Sequence, residues 1–581
     1  MRVPAKITLP VEAPLPGFLA QHPYLALALP LALWILCRAI YRLFFHPIAK
    51  FPGPKLAGLT YWYETYHDFV RFGEYTETLS KLHDKYGPII RINPDELHVR
   101  DPKFIDTLYS WNSKRGISSW FTAPFDFDGT YFGSLTHDLH RTRRAPLQRL
   151  FSRPMVMKLE PLIKQNIVKL YKNVETWAGT GRPLPVVDAI SCFATDVITE
   201  YCFGQSYGFL DDPTMKKSLY NAIHKGLGSA VPFRHFPLYQ KLFYSLPTWV
   251  IEWMNPDMEL WRAYRVDIRT QVRKLKKDIA DGTFKPSEST RATVFTEILN
   301  SNMPEPEKET ERLSREAQVM VQAGIETVSW STFFFFTLNR TCSPTVHLPT
   351  AHAPKLTTSA PPPGQTGITT NLTYLLSNPR ALARLRAELF EAIPPTPDSS
   401  PADLPSWATL EQLPYLSACV LEGLRLGYGV VTRLARIAET ETLVLTDDEP
   451  QSPHRGKTWS IPPGTPVGMS AYHVHHDERV FVNSREYWPE RWLDEDGKRD
   501  RRLEGYLLSF SKGSRQCVGM NLAQAELYLG LAMWVRWFGD RLELAEGCGV
   551  HDVKYHHDEF LPAVDPNSKG VRMLVKPKVD E

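Results

Sequence analysis

The stretch Phe510-Ser-Lys-Gly-Ser-Arg-Gln-Cys-Val-Gly519 decides how the rest of the chain is interpreted. It holds Cys517 in a short glycine-bearing loop, and the long apolar segment 520–538 follows directly. A thiolate is the metal-binding and reactive form of cysteine, and a helix N-terminus with a nearby cation favours it. Arg515 provides that cation, and the glycines allow a sharp turn close to a flat ligand. The stretch therefore predicts a reactive or metal-bound thiolate.

Haem iron held by a cysteine thiolate is one of the few chemistries that use this arrangement. Every fixed position of Phe-x-x-Gly-x-Arg-x-Cys-x-Gly is present, and the chain thereby resembles the cytochrome P450 family. The resemblance implies haem b, with Cys517 as the axial iron ligand and Phe510, Arg515 and Gly519 as haem-binding residues. A buried structural cysteine is the alternative for this stretch alone. Zinc is disfavoured because no second Cys or His lies at ligand spacing.

Composition bounds the class of protein. The chain has 581 residues, of which 43% are hydrophobic, so it can bury a sizeable core. Its net charge of +3 gives no reason to expect nucleic acid as a partner. The seven cysteines are scattered and lack close pairs, which fits a reducing compartment rather than a disulfide framework.

The N-terminus carries an apolar stretch, residues 18–37, that is long enough to cross a membrane as a helix. We expect the helix to run on to Phe45, with Arg38 and Arg42 extending towards the headgroups. Basic residues after the stretch predict a cytosolic orientation for the bulk of the chain. They also occupy the place of a cleavage site, which disfavours a signal peptide. Residues 1–50 are therefore predicted to be a membrane anchor with a basic flank.

A proline-rich hinge, residues 51–57, joins the anchor to the predicted haem domain, residues 51–581. Downstream, residues 75–86 show the pattern of an amphipathic helix, and two short strands with a turn at Asn93-Pro94 follow.

The segment 137–151 carries histidines and arginines at helical spacing. His140 and Arg144 are four apart and share a helix face. Many P450 enzymes have Trp and Arg at these places, and both contact haem propionates. The resemblance therefore implies haem-binding roles for Arg144 and, with His in place of Trp, for His140. A solvated basic face is the alternative.

One long helix is predicted over 309–337, with Ala-Gly-x-Glu-Thr at its middle. An acid and a hydroxyl inside an apolar helix cost free energy unless they are used. The stretch resembles the family's oxygen-activation motif, and the resemblance implies that Glu326 and Thr327 deliver protons to iron-bound dioxygen. A helix crossing lined by small residues is the alternative.

Residues 339–371 interrupt the expected continuation of this helix into the next one. They hold six prolines, ten Ser or Thr and no acidic residue, which is the composition of a disordered segment. We interpret them as a surface insert or a translated intron.

Glu422 and Arg425 lie three apart in an apolar helical pattern and can pair. In the family, Glu-x-x-Arg is joined by a downstream arginine, and Pro489-Glu-Arg-Trp492 makes Arg491 that third member. The resemblance also implies that Arg433 contacts a haem propionate. The run of histidines 473, 475 and 476 is interpreted as structural rather than metal-binding.

These motifs, in this order, predict a mainly α fold with a small β part: a cytochrome P450-like fold with an N-terminal membrane anchor helix. The implied activity is insertion of one oxygen atom from O2 into an apolar small molecule, a fungal secondary metabolite such as a terpenoid or polyketide. No flavin or nicotinamide domain is apparent. NADPH–cytochrome P450 reductase is the implied electron donor, with cytochrome b5 as a second. The implied location is the endoplasmic reticulum membrane, with the catalytic domain in the cytosol.

Two other functions remain open at the level of sequence. A haem-thiolate isomerase or dehydratase needs no external electrons, but Glu326 and Thr327 count against it, because such enzymes often lose both. The second alternative is a non-catalytic haem protein disabled by the 339–371 insert.

Overall fold

The computed structural model describes residues 23–125, 127–215, 230–254, 258–284, 293–329, 367–396 and 399–578. Within these ranges the chain is mainly helical, with a few short strands. This confirms the predicted fold class.

The α-helices in the described residues are α1 Pro23–Ile40, α2 Lys55–Leu59, α3 Trp62–Thr65, α4 Tyr75–Tyr86, α5 Ile105–Leu108, α6 Ser119–Thr122, α7 His137–Leu150, α8 Arg153–Glu175, α9 Val186–Phe203, α10 Ala230–His235, α11 Pro237–Ser245, α12 Thr248–Met254, α13 Met258–Ala280, α14 Val294–Asn300, α15 Thr310–Ser329, α16 Gly367–Leu376, α17 Pro379–Ala392, α18 Trp407–Leu410, α19 Pro414–Gly427, α20 Ala471–His475 and α21 Met520–Phe538.

The strands are β1 Ile89–Arg91, β2 Leu97–Val99, β3 Leu184–Pro185, β4 Arg436–Ile437, β5 Leu443–Thr446, β6 Thr458–Ile461, β7 Pro466–Gly468, β8 Leu542–Leu544, β9 His557–Asp558, β10 Pro562–Ala563 and β11 Arg572–Val575. The largest sheet has the order β1-β2-β7-β4, in which β2 and β7 are parallel and the other pairs antiparallel.

Three long helices form the centre of the core. Helix α21 is buried around most of its circumference, as expected of a helix that is apolar on all sides. Helices α9 and α15 pack side by side. Gly324 allows their close approach, because a Cβ there would lie 2.8 Å from a side-chain carbon of Ile198.

The N-terminal helix α1 continues through a π-helical turn, Tyr41–Phe45. Within the described residues, Ala28–Phe45 is long and apolar enough to cross a membrane, and none of it is buried. This is compatible with the predicted anchor and its extension to Phe45.

Local predictions for helices and strands hold in several places. The amphipathic helix 75–86 is α4, and the two short strands are β1 and β2, which pair as a hairpin. The long helix begins at Thr310 and is described as far as Ser329. Residues 330–366 lie outside the described part. The last five residues of the predicted insert, 367–371, form the first half of α16.

Candidate functional site

The loop that carries Cys517 is closed by backbone contacts. The Cys517 N–H donates to the Phe510 carbonyl at 2.9 Å. Gly513 has φ +71°, and a Cβ there would lie 2.2 Å from the Tyr109 carbonyl oxygen, so the turn requires glycine. Gly519 is the N-cap of α21, which puts the thiol at the positive end of that helix.

The Cys517 thiol is subject to opposing electrostatic effects. Burial raises its pKa, while the backbone N–H groups of Gly519 and Met520 and the Arg144 guanidinium lower it. The sequence assigned the stabilising cation to Arg515. The structure gives that part to Arg144, which donates to the Gln516 carbonyl at 2.6 Å, beside the cysteine.

Arg515 instead fastens the cysteine loop to the chain before α7. Its guanidinium donates to the backbone carbonyls of Arg115, Ser134, Leu135 and Thr136 at 2.8–3.2 Å. Burial, together with the charges of Arg436 and Arg144, lowers its pKa to about 9. Three guanidinium groups therefore lie close enough to repel one another.

These groups line a cavity of about 210 Å³ that Cys517 and Phe510 also face. Most of its wall is apolar, formed by Ile117, Phe121, Phe127, Phe132, Val319, Val430, Leu434, Phe560 and Leu561. Its cationic lining consists of Arg144, Arg436 and Arg515, and no acidic side chain of the described residues lines it. Such a cavity suits a ligand that is mostly apolar and carries negative charge.

His140 lies one turn before Arg144 on α7, and both side chains are buried and face the cavity. Burial and the charges of Arg515, Arg144 and Arg436 lower the pKa of His140 to about 2. The imidazole is therefore neutral and leaves the positive charge to the arginines. The predicted pairing of these two residues on one helix face matches the structure.

Arg433 does not line the cavity that Cys517 faces, so nothing in the described geometry supports its predicted propionate contact. Its guanidinium binds the buried carboxylates of Glu96 and Glu64 at 2.8 Å each and lies over the Trp120 ring. Arg436 lines the cavity instead, because it is three residues further along an extended segment and therefore points to the opposite side.

The predicted structural network is present. Arg425 donates to both carboxylate oxygens of Glu422 at 2.8 and 2.9 Å, and Arg491 donates to the same carboxylate at 3.1 Å. Arg425 also donates to the carbonyls of His475 and Ser484. The network thus joins α19 to the long loop that precedes the cysteine.

Glu326 and Thr327 belong to α15, but their side chains lie outside the described part of the structure. The preceding residues Gln322 and Ala323 line the cavity. Proton delivery by Glu326 and Thr327 stays a prediction.

The acid that binds the backbone at Tyr131, a residue of the cavity lining, was not identified from the sequence. Glu316 on α15 accepts the Tyr131 N–H at 3.2 Å and pairs with Arg312 at 2.6 Å. Burial raises the pKa of Glu316 to about 7. The spacing of four between Arg312 and Glu316, which lets them pair on one helix face, was the available signal.

The described residues fit a flat, dianionic prosthetic group such as haem. Three arginines in the cavity lining, of which Arg144 and Arg436 are buried, have no acidic partner among the described residues and match two carboxylates. A half-buried thiol faces the same cavity. A Cβ at Gly519 would meet nothing within 4 Å, so the backbone leaves a face open beside the thiol.

Two other groups of possible metal ligands in the described residues bind protein partners instead. The His475 Nδ1–H donates to the Arg425 carbonyl, and its Nε2 accepts the Leu508 N–H, as the structural interpretation of this run expects. Among the described residues, Glu64, Asp68 and His235 have the spacing of metal ligands. Arg433 pairs with Glu64, and Arg234 with Asp68, so the acids already have cationic partners.

Known proteins match this chain over most of its length. The sequence model of the family described as Cytochrome P450 matches residues 54–339 and 364–552. The cytochrome P450 monooxygenase tpcC of Cochliobolus heterostrophus is 37% identical over 547 residues, which cover 92% of this chain and 94% of that protein.

Two further relatives have comparable similarity. The cytochrome P450 monooxygenase sdnE of Sordaria araneosa is 36% identical over 94% of this chain and 97% of its own length. The tryptophan 6-hydroxylase fscE of Fusarium equiseti is 36% identical over 93% of this chain and 94% of its own length.

Proposed function

Because the chain belongs to the cytochrome P450 family, whose relatives here are monooxygenases, we propose that it inserts one oxygen atom of O2 into an apolar product of fungal secondary metabolism. The observation that carries this proposal is one cavity that combines Cys517, three arginines without acidic partners among the described residues, and an apolar wall. A terpenoid or polyketide substrate matches that apolar wall. A polar substrate would find no charged partner along most of the lining.

The residues that would hold haem b are Cys517 at the iron and Arg144, Arg436 and Arg515 at the propionates. When bound, haem would supply dioxygen activation, which a cysteinate ligand supports. Two carboxylates of the group would offset most of the repulsion among the three guanidinium groups, which favours binding.

The chain's own side chains bind the substrate, exclude water and transfer protons. The aromatic and aliphatic wall binds the substrate and excludes water. Glu326 and Thr327 hold and pass protons towards the cavity. Support for this role comes from Gln322 and Ala323, which lie one turn earlier on the same helix and face the cavity.

Electrons come from a separate protein, for which NADPH–cytochrome P450 reductase is the proposed donor and cytochrome b5 a second one. The apolar segment Ala28–Phe45 would hold the catalytic domain on the cytosolic face of the endoplasmic reticulum, where such donors act.

The carbon monoxide difference spectrum of the reduced holoenzyme tests the haem-thiolate assignment. We expect the red-shifted Soret band of a thiolate-ligated carbonyl complex in the wild type, and its loss in Cys517→Ser. The matched control is Cys548→Ser, at a cysteine that does not line the cavity. The same band in Cys517→Ser would overturn the assignment.

Turnover tests the reaction class. With reductase, NADPH and O2, one oxygen atom from labelled O2 should enter the product. A product formed without NADPH would instead favour the isomerase or dehydratase alternative.

A further inference from the structure

A second cleft lies where the N-terminal helix meets the globular part of the chain. It measures about 400 Å³ and is lined by Trp34, Cys37, Arg38, Tyr41, Arg42, His46 and Asp95. Its volume is within the ~300–1,000 Å³ typical of small-molecule sites. Nothing in the proposed monooxygenase reaction uses it.

The junction that forms this cleft is held by specific contacts. Arg91 donates to the Arg42 carbonyl at 2.8 Å, and Arg42 donates to the Leu59 carbonyl at 2.7 Å. The Arg42 guanidinium also lies 5.4 Å from the Tyr61 ring centre. These contacts fix the end of the apolar helix against the domain, so the cleft is a defined part of the fold.

Positive charge in the cleft is not fully balanced. Arg38 lies 5.2 Å from the Trp34 ring centre and has no acidic partner among the described residues. The one carboxylate of the lining, Asp95, is taken by His46 at 3.2 Å and by the Tyr61 hydroxyl. An anion entering the cleft would therefore meet two guanidinium groups against one carboxylate.

We infer that this cleft binds the phosphate of an anionic lipid headgroup. The inference rests on the proposed membrane anchoring. The cleft lies along the C-terminal half of Ala28–Phe45, and Arg38 and Arg42 follow the apolar stretch 18–37, so their guanidinium groups can extend to the headgroups. Arginine binds phosphate through paired N–H groups. Trp34 and Tyr41 are of the residue types that favour the membrane interface. Basic pockets at the cytosolic end of membrane helices bind anionic headgroups.

The test uses the full-length holoenzyme in nanodiscs of phosphatidylcholine with a minor fraction of phosphatidic acid. Native mass spectrometry of the released protein counts the lipids that stay bound. We expect retained phosphatidic acid in the wild type. Arg38→Gln and Arg42→Gln should each weaken retention about five-fold, the contribution of one basic residue near an anionic surface.

Arg182→Gln is the matched control, because Arg182 also lies over a tryptophan, Trp177, at 5.0 Å but is absent from the cleft. Arg38→Gln changes no hydrogen bond of the described residues, so it keeps the test valid if Arg42→Gln loosens the junction. Arg38→Lys should restore part of the retention.

Three results would overturn the inference: equal retention in the wild type and Arg38→Gln, equal loss in Arg182→Gln, or no preference for phosphatidic acid over phosphatidylcholine. Inorganic phosphate added to discs of phosphatidylcholine alone distinguishes the source. If it binds with the same dependence on Arg38, the cleft is a free-phosphate site. None of these readouts uses turnover or the carbonyl spectrum, so their failure leaves the proposed reaction untouched.

Discussion

Glu422 is fully buried and serves several donors at once. Arg425, Arg491, the Trp488 N–H and the Trp492 indole N–H all donate to its carboxylate. Burial opposes its ionisation, but the two arginines hold the pKa of Glu422 below its ordinary value. A single side chain therefore ties α19 to the segment that leads into the cysteine loop.

We predict that Glu422→Gln lowers the free energy of unfolding by about 3–5 kcal/mol, because it leaves two buried guanidinium groups without a counter-charge. Urea unfolding and the haem content of the purified protein measure the effect. Glu77→Gln, which breaks the exposed Glu77–Lys81 pair, should cost only ~0–1 kcal/mol. Similar losses in the two variants would refute the proposed importance of the network.

Gln322 is a buried polar residue that faces the cavity. It is 4% exposed and lines the cavity, and its Nε2 has no hydrogen-bond partner among the described residues. A buried donor without a partner costs free energy. A substrate with a carbonyl or hydroxyl oxygen would supply the missing acceptor.

Acetophenone and α-methylstyrene have nearly the same shape, but only the ketone accepts a hydrogen bond. We predict that the wild-type holoenzyme binds the ketone more tightly by ~1 kcal/mol, or roughly five-fold in Kd, as read from ligand-induced changes in its absorption spectrum. Gln322→Leu should abolish this preference. Gln318→Leu, one turn earlier on α15 and outside the cavity lining, should keep it. An unchanged preference in Gln322→Leu would mean that the Gln322 amide does not bind the ketone oxygen.

At the scale of elements, three buried histidines join α4, β2 and α20. His83 and His98 share a hydrogen bond of 2.7 Å, and the His473 ring lies 5.0 Å from that of His98. Burial lowers the pKa of His473 to about 3, with Arg100 and Arg485 adding to the effect. Burial and the neighbouring histidines likewise depress the pKa values of His83 and His98.

This cluster predicts a dependence of stability on pH. As the pH falls, a histidine with a depressed pKa binds its proton in the unfolded chain before it does so in the folded one. Its contribution to folding stability is therefore complete above about pH 6.5 and is lost as the pH falls below that value. We predict that His473→Phe gains stability relative to the wild type by up to ~1.4 kcal/mol per pH unit below that point. Urea unfolding across the range from neutral to mildly acidic pH measures it.

Tyr472→Phe changes the same helix without removing a histidine, and its curve should stay parallel to that of the wild type. Parallel curves for His473→Phe as well would mean that His473 contributes no proton uptake on unfolding.

The two arginines 433 and 436 show where sequence reasoning about elements reaches its limit. Cys517 and the Glu422 network are local patterns, in which spacing along one helix or loop fixes who meets whom. Arg433 and Arg436 lie on opposite sides of an extended segment, and only the position of the sheet decides which side faces the cavity. Glu64 and Glu96, which bind Arg433, come from distant parts of the chain, and no local pattern connects them to it.

At the scale of the whole molecule, the apolar helix α1, the helical part and the cysteine loop follow one another along the described residues. Membrane anchoring by α1 stays a prediction. The long helix and the buried character of α21 follow from apolar patterns that persist over many turns. Of the cationic lining, the sequence predicted Arg144 and Arg515 through the family resemblance but not Arg436, because the three arginines come from separate segments that no local pattern connects.

The segment between α15 and α16 leads to a prediction about the whole chain. The family match omits residues 340–363, while α16 packs against α19 and α21 and Asn371 accepts a hydrogen bond from the Tyr487 hydroxyl at 2.9 Å. The helix after the segment is thus part of the core. A deletion should therefore end before Gly367, earlier than the predicted insert boundary at residue 371.

We predict that the chain without residues 340–363 folds, binds haem and gives the same thiolate-type carbonyl spectrum as the full chain. Closing a shorter loop costs less entropy, and this term grows only slowly with loop length. The expected gain in unfolding free energy is therefore no more than about 1 kcal/mol. Haem content, the carbonyl difference spectrum and urea unfolding of the two chains measure the outcome.

The matched control removes residues 367–371 instead, which takes away buried residues of α16 and should abolish haem binding. A carbonyl spectrum from both the full and the shortened chain would make residues 340–363 a tolerated insert. A spectrum from the shortened chain alone would favour the intron interpretation. Loss of haem only in the shortened chain would contradict the prediction, because the segment would then be needed to connect α15 to α16.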